Sequence, residues 1–236
     1  MAGVAGTTVG LASLVSYPAL LAVGLPALTA NVTNTVALVL STVGASIASQ
    51  QELGGQARRV RRLASITVAG GITGAVLLLS TPPEVFELVV PPLIAGASLA
   101  LLVQPRVVRR THGGLDERGP VVGAALFSVG VYGGYFGAAA GVLLLALLAV
   151  SVAEPLARLN ALKNVALGSA NAVAAISFAA FGPVRWAAAA PLAAGFLLGG
   201  IAGPSLVRRL PAERLRVFIA LLGLGLAIKL GVDAIR

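Results

Sequence analysis

Residues 130–141 read GVYGGYFGAAAG, so that five glycines and three aromatic residues occur within twelve positions. This stretch lies inside a longer apolar segment, because no charged residue occurs between Arg118 and Glu154. A straight helix over residues 119–153 would be about 52 Å long at about 1.5 Å per residue, whereas the hydrocarbon core of a bilayer is about 30 Å thick. The excess length and the central glycines predict a broken helix that turns back as a re-entrant hairpin.

The composition is that of an integral membrane protein. Of 236 residues, 58% are hydrophobic and 11% are charged, whereas a soluble domain carries roughly a quarter charged residues. Alternating strand patterns are absent, so the membrane spans are predicted to be helices rather than barrel strands. The net charge of +9 is concentrated in short loops, which is typical of a cytoplasmic membrane face and not of nucleic-acid binding. The runs long enough to span a bilayer lie near residues 30–49, 63–80, 86–103, 159–181, 186–207 and 214–234.

The chain aligns with itself, without gaps, at a shift of 129 residues. The matches between less common residues pair Pro26 with Pro155, Asn31 with Asn160, Pro82 with Pro211 and Glu84 with Glu213. We interpret this as a duplicated four-segment unit, with residues 1–104 as the first repeat, 105–118 as a basic cytoplasmic linker and 119–236 as the second repeat. The same shift maps residue 119 to a position before Met1, so we expect the first hairpin to be truncated in its opening arm.

The loop charges indicate that the two repeats have opposite orientations. The loop after the second segment carries four arginines within residues 58–62 in the first repeat, but only Arg185 in the second. The loop after the third segment reverses this, with Glu84 and Glu87 in the first repeat and four arginines within residues 208–216 in the second. The predicted fold is therefore an all-α polytopic membrane protein of two inverted repeats, each a re-entrant helical hairpin plus three transmembrane helices. With residues 50–62 in the cytoplasm, 14 of the 17 lysines and arginines lie inside, as the positive-inside rule requires.

The asparagines fall in two matching places, and we consider all of them candidate substrate-binding residues: Asn31, Asn34, Asn160, Asn164 and Asn171. Two interpretations of Asn31 and Asn160 remain open and are compatible. Each can cap the start of the helix that follows a hairpin, or its amide can contact an anionic or polar substrate. We expect both residues to converge with the glycine-rich break near the middle of the membrane.

Lys163 and two tyrosines are further candidates for the substrate site. Lys163 is either a cytoplasmic anchor whose ammonium group reaches the membrane surface or a counter-charge for an anion. Tyr132 and Tyr135 flank Gly133 and Gly134 in the middle of an apolar segment. This position favours pocket lining over the interfacial anchoring that is usual for tyrosine in membranes.

The helix arms that follow the two breaks are predicted to direct anions inward. These arms begin near Gly10 and Gly137, and their N-termini would present free N–H groups that attract anions. No Ser/His/Asp set, metal-ligand cluster or pair of intramembrane carboxylates occurs in the sequence, so we expect neither an enzyme nor a bound metal or cofactor.

Two stretches of the sequence resemble the TauE/SafE family of sulfite and organosulfonate exporters. GVYGGYFGAAAGVLLLALL, followed by RLNALKN, resembles the second half of that family, and GLPALTANVTNTVAL resembles the matching piece of its first half. The resemblance implies a multi-pass transporter of small sulfur-containing or other organic anions in a prokaryotic inner membrane. It carries the family's motif onto Gly133, Gly134, Gly137, Asn31, Asn160 and Asn164. The first-half break, GTTVGLAS at residues 6–13, departs from the family in having fewer glycines.

The predicted function is secondary transport of a small anion such as sulfite or an organosulfonate by alternating access. The alternative is a passive anion channel on the same architecture, because no acidic residue lies deep in a span to relay protons. The partners we expect are the anion, the lipid bilayer and, as one option, a second copy of the chain as a homodimer.

Overall fold

The computed structural model describes residues 12–48, 51–110, 114–207 and 212–233, and within these ranges the chain forms α-helices and no strand. The helices are α1 Ala12–Ala22, α2 Ala27–Ala48, α3 Ala57–Ser80, α4 Pro83–Arg110, α5 Pro120–Tyr135, α6 Ala140–Ser151, α7 Leu156–Phe181, α8 Trp186–Val207 and α9 Ala212–Asp233. Among them α3, α4 and α7 are long and apolar enough to cross a membrane. The all-α prediction is confirmed for the described residues. The first-half break near Gly10, with Arg208 and Arg209, lies outside them.

The apolar segment at residues 119–153 is two helices and not one. Helix α5 ends at Tyr135, α6 begins at Ala140, and the turn between them includes Gly137 at φ +75°, a backbone conformation that favours glycine. At the other end of the pair, the Leu115 amide donates a hydrogen bond to the Val150 carbonyl oxygen over 3.1 Å. The chain therefore enters and leaves this pair at the same end, as the length of the segment predicts.

Helices α3, α5 and α7 pack against one another through small residues. A Cβ at Gly134 of α5 would collide with the carbonyl oxygen of Gly71 in α3, and a Cβ at Gly71 would lie 2.9 Å from the Ala170 carbonyl oxygen in α7. One turn away, the Thr67 hydroxyl donates to the Ala166 carbonyl oxygen over 2.7 Å. Glycine at these contacts allows the helix backbones to approach closely enough for van der Waals packing without side chains between them.

The helix starts recur at one constant offset along the chain. Helices α2 and α7, α3 and α8, and α4 and α9 begin 129 residues apart. Helices α4 and α9 are antiparallel neighbours, because Gly231 faces Pro91 whereas Gly223, two turns earlier in α9, faces Ser98, two turns later in α4. The members of this equivalent pair therefore run in opposite directions.

Candidate functional site

Asn31 connects α2 to the point where α5 ends. Its side chain is buried, and Nδ2 donates a hydrogen bond to the Tyr135 carbonyl oxygen over 2.9 Å. The last carbonyl groups of a helix have no amide partner in the helix itself, and Tyr135 is the final residue of α5. An asparagine from the first half of the chain thus satisfies a carbonyl at the hairpin break in the second half.

Asn34, one turn further along α2, connects this helix to α1. The Ser16 hydroxyl donates to Asn34 Oδ1, and both residues are buried. The Asn34 carbonyl oxygen is therefore held by α1, whereas its amide NH₂ group retains two further donors.

Asn160 and Lys163 are two polar residues of α7 whose side chains are enclosed by apolar neighbours. Asn160 Oδ1 is buried and accepts no hydrogen bond from the described part of the chain. Lys163 is 5% exposed, and none of the ion pairs between described residues includes it. A buried amide oxygen without a donor and a buried cation without a counter-charge are both costly, which favours a site that receives a polar or anionic ligand.

Asn164 and Asn171 lie further along α7, and only Asn171 reaches the hairpin. Asn171 Oδ1 would be 4.0 Å from a Cβ at Gly133, and Leu167 Cδ1 would be 3.2 Å from the same atom. Asn164 is half-buried, one turn after Asn160. At about 1.5 Å per residue, Asn160 lies about 16 Å before Asn171 along the helix axis. The structure thus brings Asn31 and Asn171 to the hairpin break, but it does not bring Asn160 there.

The helix-capping interpretation of the two equivalent asparagines is wrong. Helix α2 begins at Ala27 and α7 at Leu156, so Asn31 and Asn160 each lie four residues inside their helices. The residue before α7 is Pro155, and no side chain caps this helix. Proline is common at a helix start because it needs no amide partner there, and Pro155 rather than Asn160 marks the boundary.

The aromatic residues of the hairpin hold its turn together. The Tyr132 hydroxyl donates to the Ala138 carbonyl oxygen over 2.6 Å, which spans the turn, and the Tyr135 hydroxyl lies 3.4 Å from Thr81 Oγ1. Phe136 packs edge-on against Tyr17 of α1, with 5.4 Å between ring centroids. Tyr17 was not expected from the sequence. Its hydroxyl is buried and has no hydrogen-bond partner within the described ranges, and the alignment of the two halves gives no signal because its counterpart is Ala146.

The glycines of the predicted break have three different roles. Gly133 and Gly134 lie inside α5, so the break follows them instead of including them. Gly134 contacts α3, whereas Gly133 faces Leu167 and Asn171 in α7. Gly137 alone lies in the turn.

An ion-pair cluster holds both ends of the hairpin against the start of α3. Arg59 donates to the two carboxylate oxygens of Glu117 over 2.7 and 2.8 Å, and to Glu154 over 3.1 Å. Glu154 also accepts from Arg158 of α7 over 2.7 Å. Glu117 precedes α5 and Glu154 follows α6, so one guanidinium group bridges the two ends. We name Arg59, Glu117, Glu154 and Arg158 the hairpin clamp.

The hairpin clamp is expected to weaken in acid through Glu154. Its pKa is lowered from the ordinary value, chiefly by the hydrogen bond from Arg158 and further by those from Gln56 and Arg59, although burial opposes the shift. A lowered pKa in the folded state means that the stabilisation is complete above the ordinary pKa of about 4.3 and is lost as the pH falls through the lowered value. Thermal unfolding of the detergent-solubilised protein should therefore show a lower Tm at acid pH.

Two glutamine variants separate this effect from general acid denaturation. Glu154→Gln is expected to have a lower Tm than the wild type at neutral pH and a smaller further loss in acid. Glu84→Gln is the matched control, because Glu84 is exposed and joins no ion pair with any described residue. The same acid response in wild type and Glu154→Gln would contradict the assignment.

The comparisons with known proteins agree with the sequence resemblance. The family model described as "Sulfite exporter TauE/SafE" matches residues 1–230. Searches of curated proteins and of solved structures gave no significant match. Because the family match covers almost the whole chain, this protein belongs to the TauE/SafE family of sulfite exporters, which are membrane transporters and not enzymes.

Proposed function

We propose that this chain is a secondary transporter that moves a small anion, sulfite or an organosulfonate, across a prokaryotic inner membrane by alternating access. The observation that carries the proposal is the hydrogen bond from Asn31 to the Tyr135 carbonyl oxygen. It joins the first half of the chain to a broken helix in the second half. Irregular backbone at membrane depth is tolerated where it is buried in protein or lines a cavity, and broken helices form the substrate sites of inverted-repeat transporters.

The inverted-repeat part of the proposal is supported by the directions of equivalent helices. Helices α4 and α9 begin 129 residues apart and pack antiparallel, which is the relation that an in-plane pseudo-two-fold axis requires. The loop charges of the two halves reverse in the same sense. We propose that the basic loops lie in the cytoplasm and that the hairpin of α5 and α6 enters the membrane from that side.

Anion selectivity is supported by the donors that surround this region. Lys163 supplies a buried positive charge, the side-chain amides of Asn31, Asn34, Asn160, Asn164 and Asn171 supply N–H groups, and the N-terminus of α6 follows the turn directly. Amide donors and a helix N-terminus bind a small oxyanion without a buried arginine. The spacing along α7 favours a path of successive contacts over a single point. Tyr132, Tyr135, Gly133, Gly134 and Gly137 complete the proposed site as the residues that shape the turn and its packing.

Uptake into proteoliposomes tests this function. Purified protein is expected to give saturable uptake of labelled sulfite or of a short sulfonate such as taurine, above the rate in empty liposomes. Unlabelled anion preloaded inside should accelerate entry of the label, because a carrier exchanges its substrate whereas a channel does not. Folded protein without saturable flux for any of these anions would contradict the proposal, and saturation without acceleration would favour the passive channel.

A further inference from the structure

A second basic site lies outside the proposed transport path. A cavity of about 320 Å³ opens beside the start of α3, and the charged residues that line it are Arg58, Arg59, Arg62, Glu117 and Arg118. We propose that this cavity binds a phosphate-bearing anion, either the headgroup of an anionic lipid or a soluble phosphate. The inference does not depend on what the protein transports, because none of these residues belongs to the proposed substrate site.

The charges that line the cavity are not balanced within the described chain. Glu117 is engaged by Arg59 through both carboxylate oxygens. Arg62 donates to the Glu117 backbone carbonyl over 2.6 Å, which leaves most of its five N–H donors available. The guanidinium groups of Arg58 and Arg118 have no acidic partner among the residues that the structure describes. One carboxylate therefore faces four guanidinium groups, and the excess positive charge requires an anion.

The chemistry and size of the cavity favour a phosphate group with a substituent. A guanidinium group presents paired donors that match phosphate oxygens two at a time. The volume of about 320 Å³ is at the lower end of the range for small-molecule sites, roughly 300–1,000 Å³, and exceeds what a single bare oxyanion fills. Helix α3 is one of the helices long enough to cross a membrane, so arginines in its first turn lie where lipid phosphates are found.

Two variants distinguish a site from a generally basic surface. The double variant Arg58→Gln/Arg118→Gln removes the two guanidinium groups that have no described partner, and folding is expected to survive because no described contact is lost. Arg61→Gln is the matched control, since Arg61 is an exposed arginine of the same helix turn that does not line the cavity. Circular dichroism verifies the helicity of each protein before binding is measured.

Calorimetric titration of the purified full chain in neutral detergent gives the result. The probes are short-chain phosphatidylglycerol, short-chain phosphatidylcholine and inorganic phosphate. We expect saturable binding of phosphatidylglycerol or phosphate, at least about tenfold weaker in the double variant because charge-assisted hydrogen bonds are lost, and nearly unchanged in Arg61→Gln. Binding of phosphatidylglycerol but not of phosphate identifies a lipid headgroup site, and binding of phosphate identifies a site for soluble phosphates. No saturable binding, or equal weakening in both variants, would overturn the proposal.

Discussion

Replacing Gly134 with alanine is expected to lower the free energy of unfolding by about 3 kcal/mol, at the upper end of the usual cost of overpacking. A Cβ at this position would collide with the Gly71 carbonyl oxygen. That oxygen belongs to helix backbone, so a side-chain rotation cannot relieve the contact. Helices α3 and α5 would have to separate along a contact that also includes Gly70, Gly74 and Gly130. Thermal or denaturant unfolding in detergent measures the loss.

The control for this variant is another glycine of the same helix. Gly123→Ala introduces the same methyl group into α5, where a Cβ would have no neighbour within 4 Å. Because alanine is the better helix former, Gly123→Ala is expected to leave stability unchanged or to raise it by up to about 1 kcal/mol. Equal stability of the two variants would show that the close approach of α3 and α5 is not required.

Replacing Asn31 with alanine is expected to reduce the rate of anion uptake at least about tenfold, which corresponds to about 1.4 kcal/mol of lost interaction in the transport cycle. The variant removes the donor to the Tyr135 carbonyl oxygen and the amide that we place beside the anion. Its effect on stability should be smaller, about 1 kcal/mol for one hydrogen bond. Uptake into proteoliposomes and the Tm in detergent are measured on the same preparation.

Thr35→Val separates a role in transport from a role in folding α2. Thr35 is buried one turn after Asn31, and its hydroxyl donates within its own helix to the Asn31 carbonyl oxygen over 3.0 Å. Valine keeps the shape of the side chain and removes only this bond. We expect Thr35→Val to transport at nearly the wild-type rate. If Asn31→Ala loses stability and transport in equal measure, its role is structural.

Local sequence predicted the existence of the hairpin more accurately than its position. The excess length of residues 119–153 depends only on bilayer thickness, and the structure agrees with it. The glycines have two physical causes that composition alone does not separate. Gly137 provides a positive φ in the turn, whereas Gly134 allows α3 to approach. The partner that distinguishes them, Gly71, is distant in sequence.

The errors at the candidate site also have physical reasons. The helix start at Pro155 could have been recognised, because proline at a helix boundary is a known start signal, but the polar Asn160 suggested a cap instead. The hairpin clamp had no local signal, since Arg59 meets partners 58 and 95 residues away. Its components were visible only as the acidic residues nearest the ends of an uncharged segment. Which of them would share one arginine depends on the packing of α3 between the hairpin and α7.

The central claim is that equivalent positions in the two halves face opposite sides of the membrane. The natural chain contains no cysteine, so single cysteines can be introduced without a cysteine-free background. Arg58 and Ala187 are exposed, lie 129 residues apart, and are each the second residue of a helix, α3 and α8. With a membrane-impermeant maleimide on oriented vesicles, the account predicts labelling of Arg58→Cys from the cytoplasmic side and of Ala187→Cys from the outside. Labelling of both from the same side would contradict it.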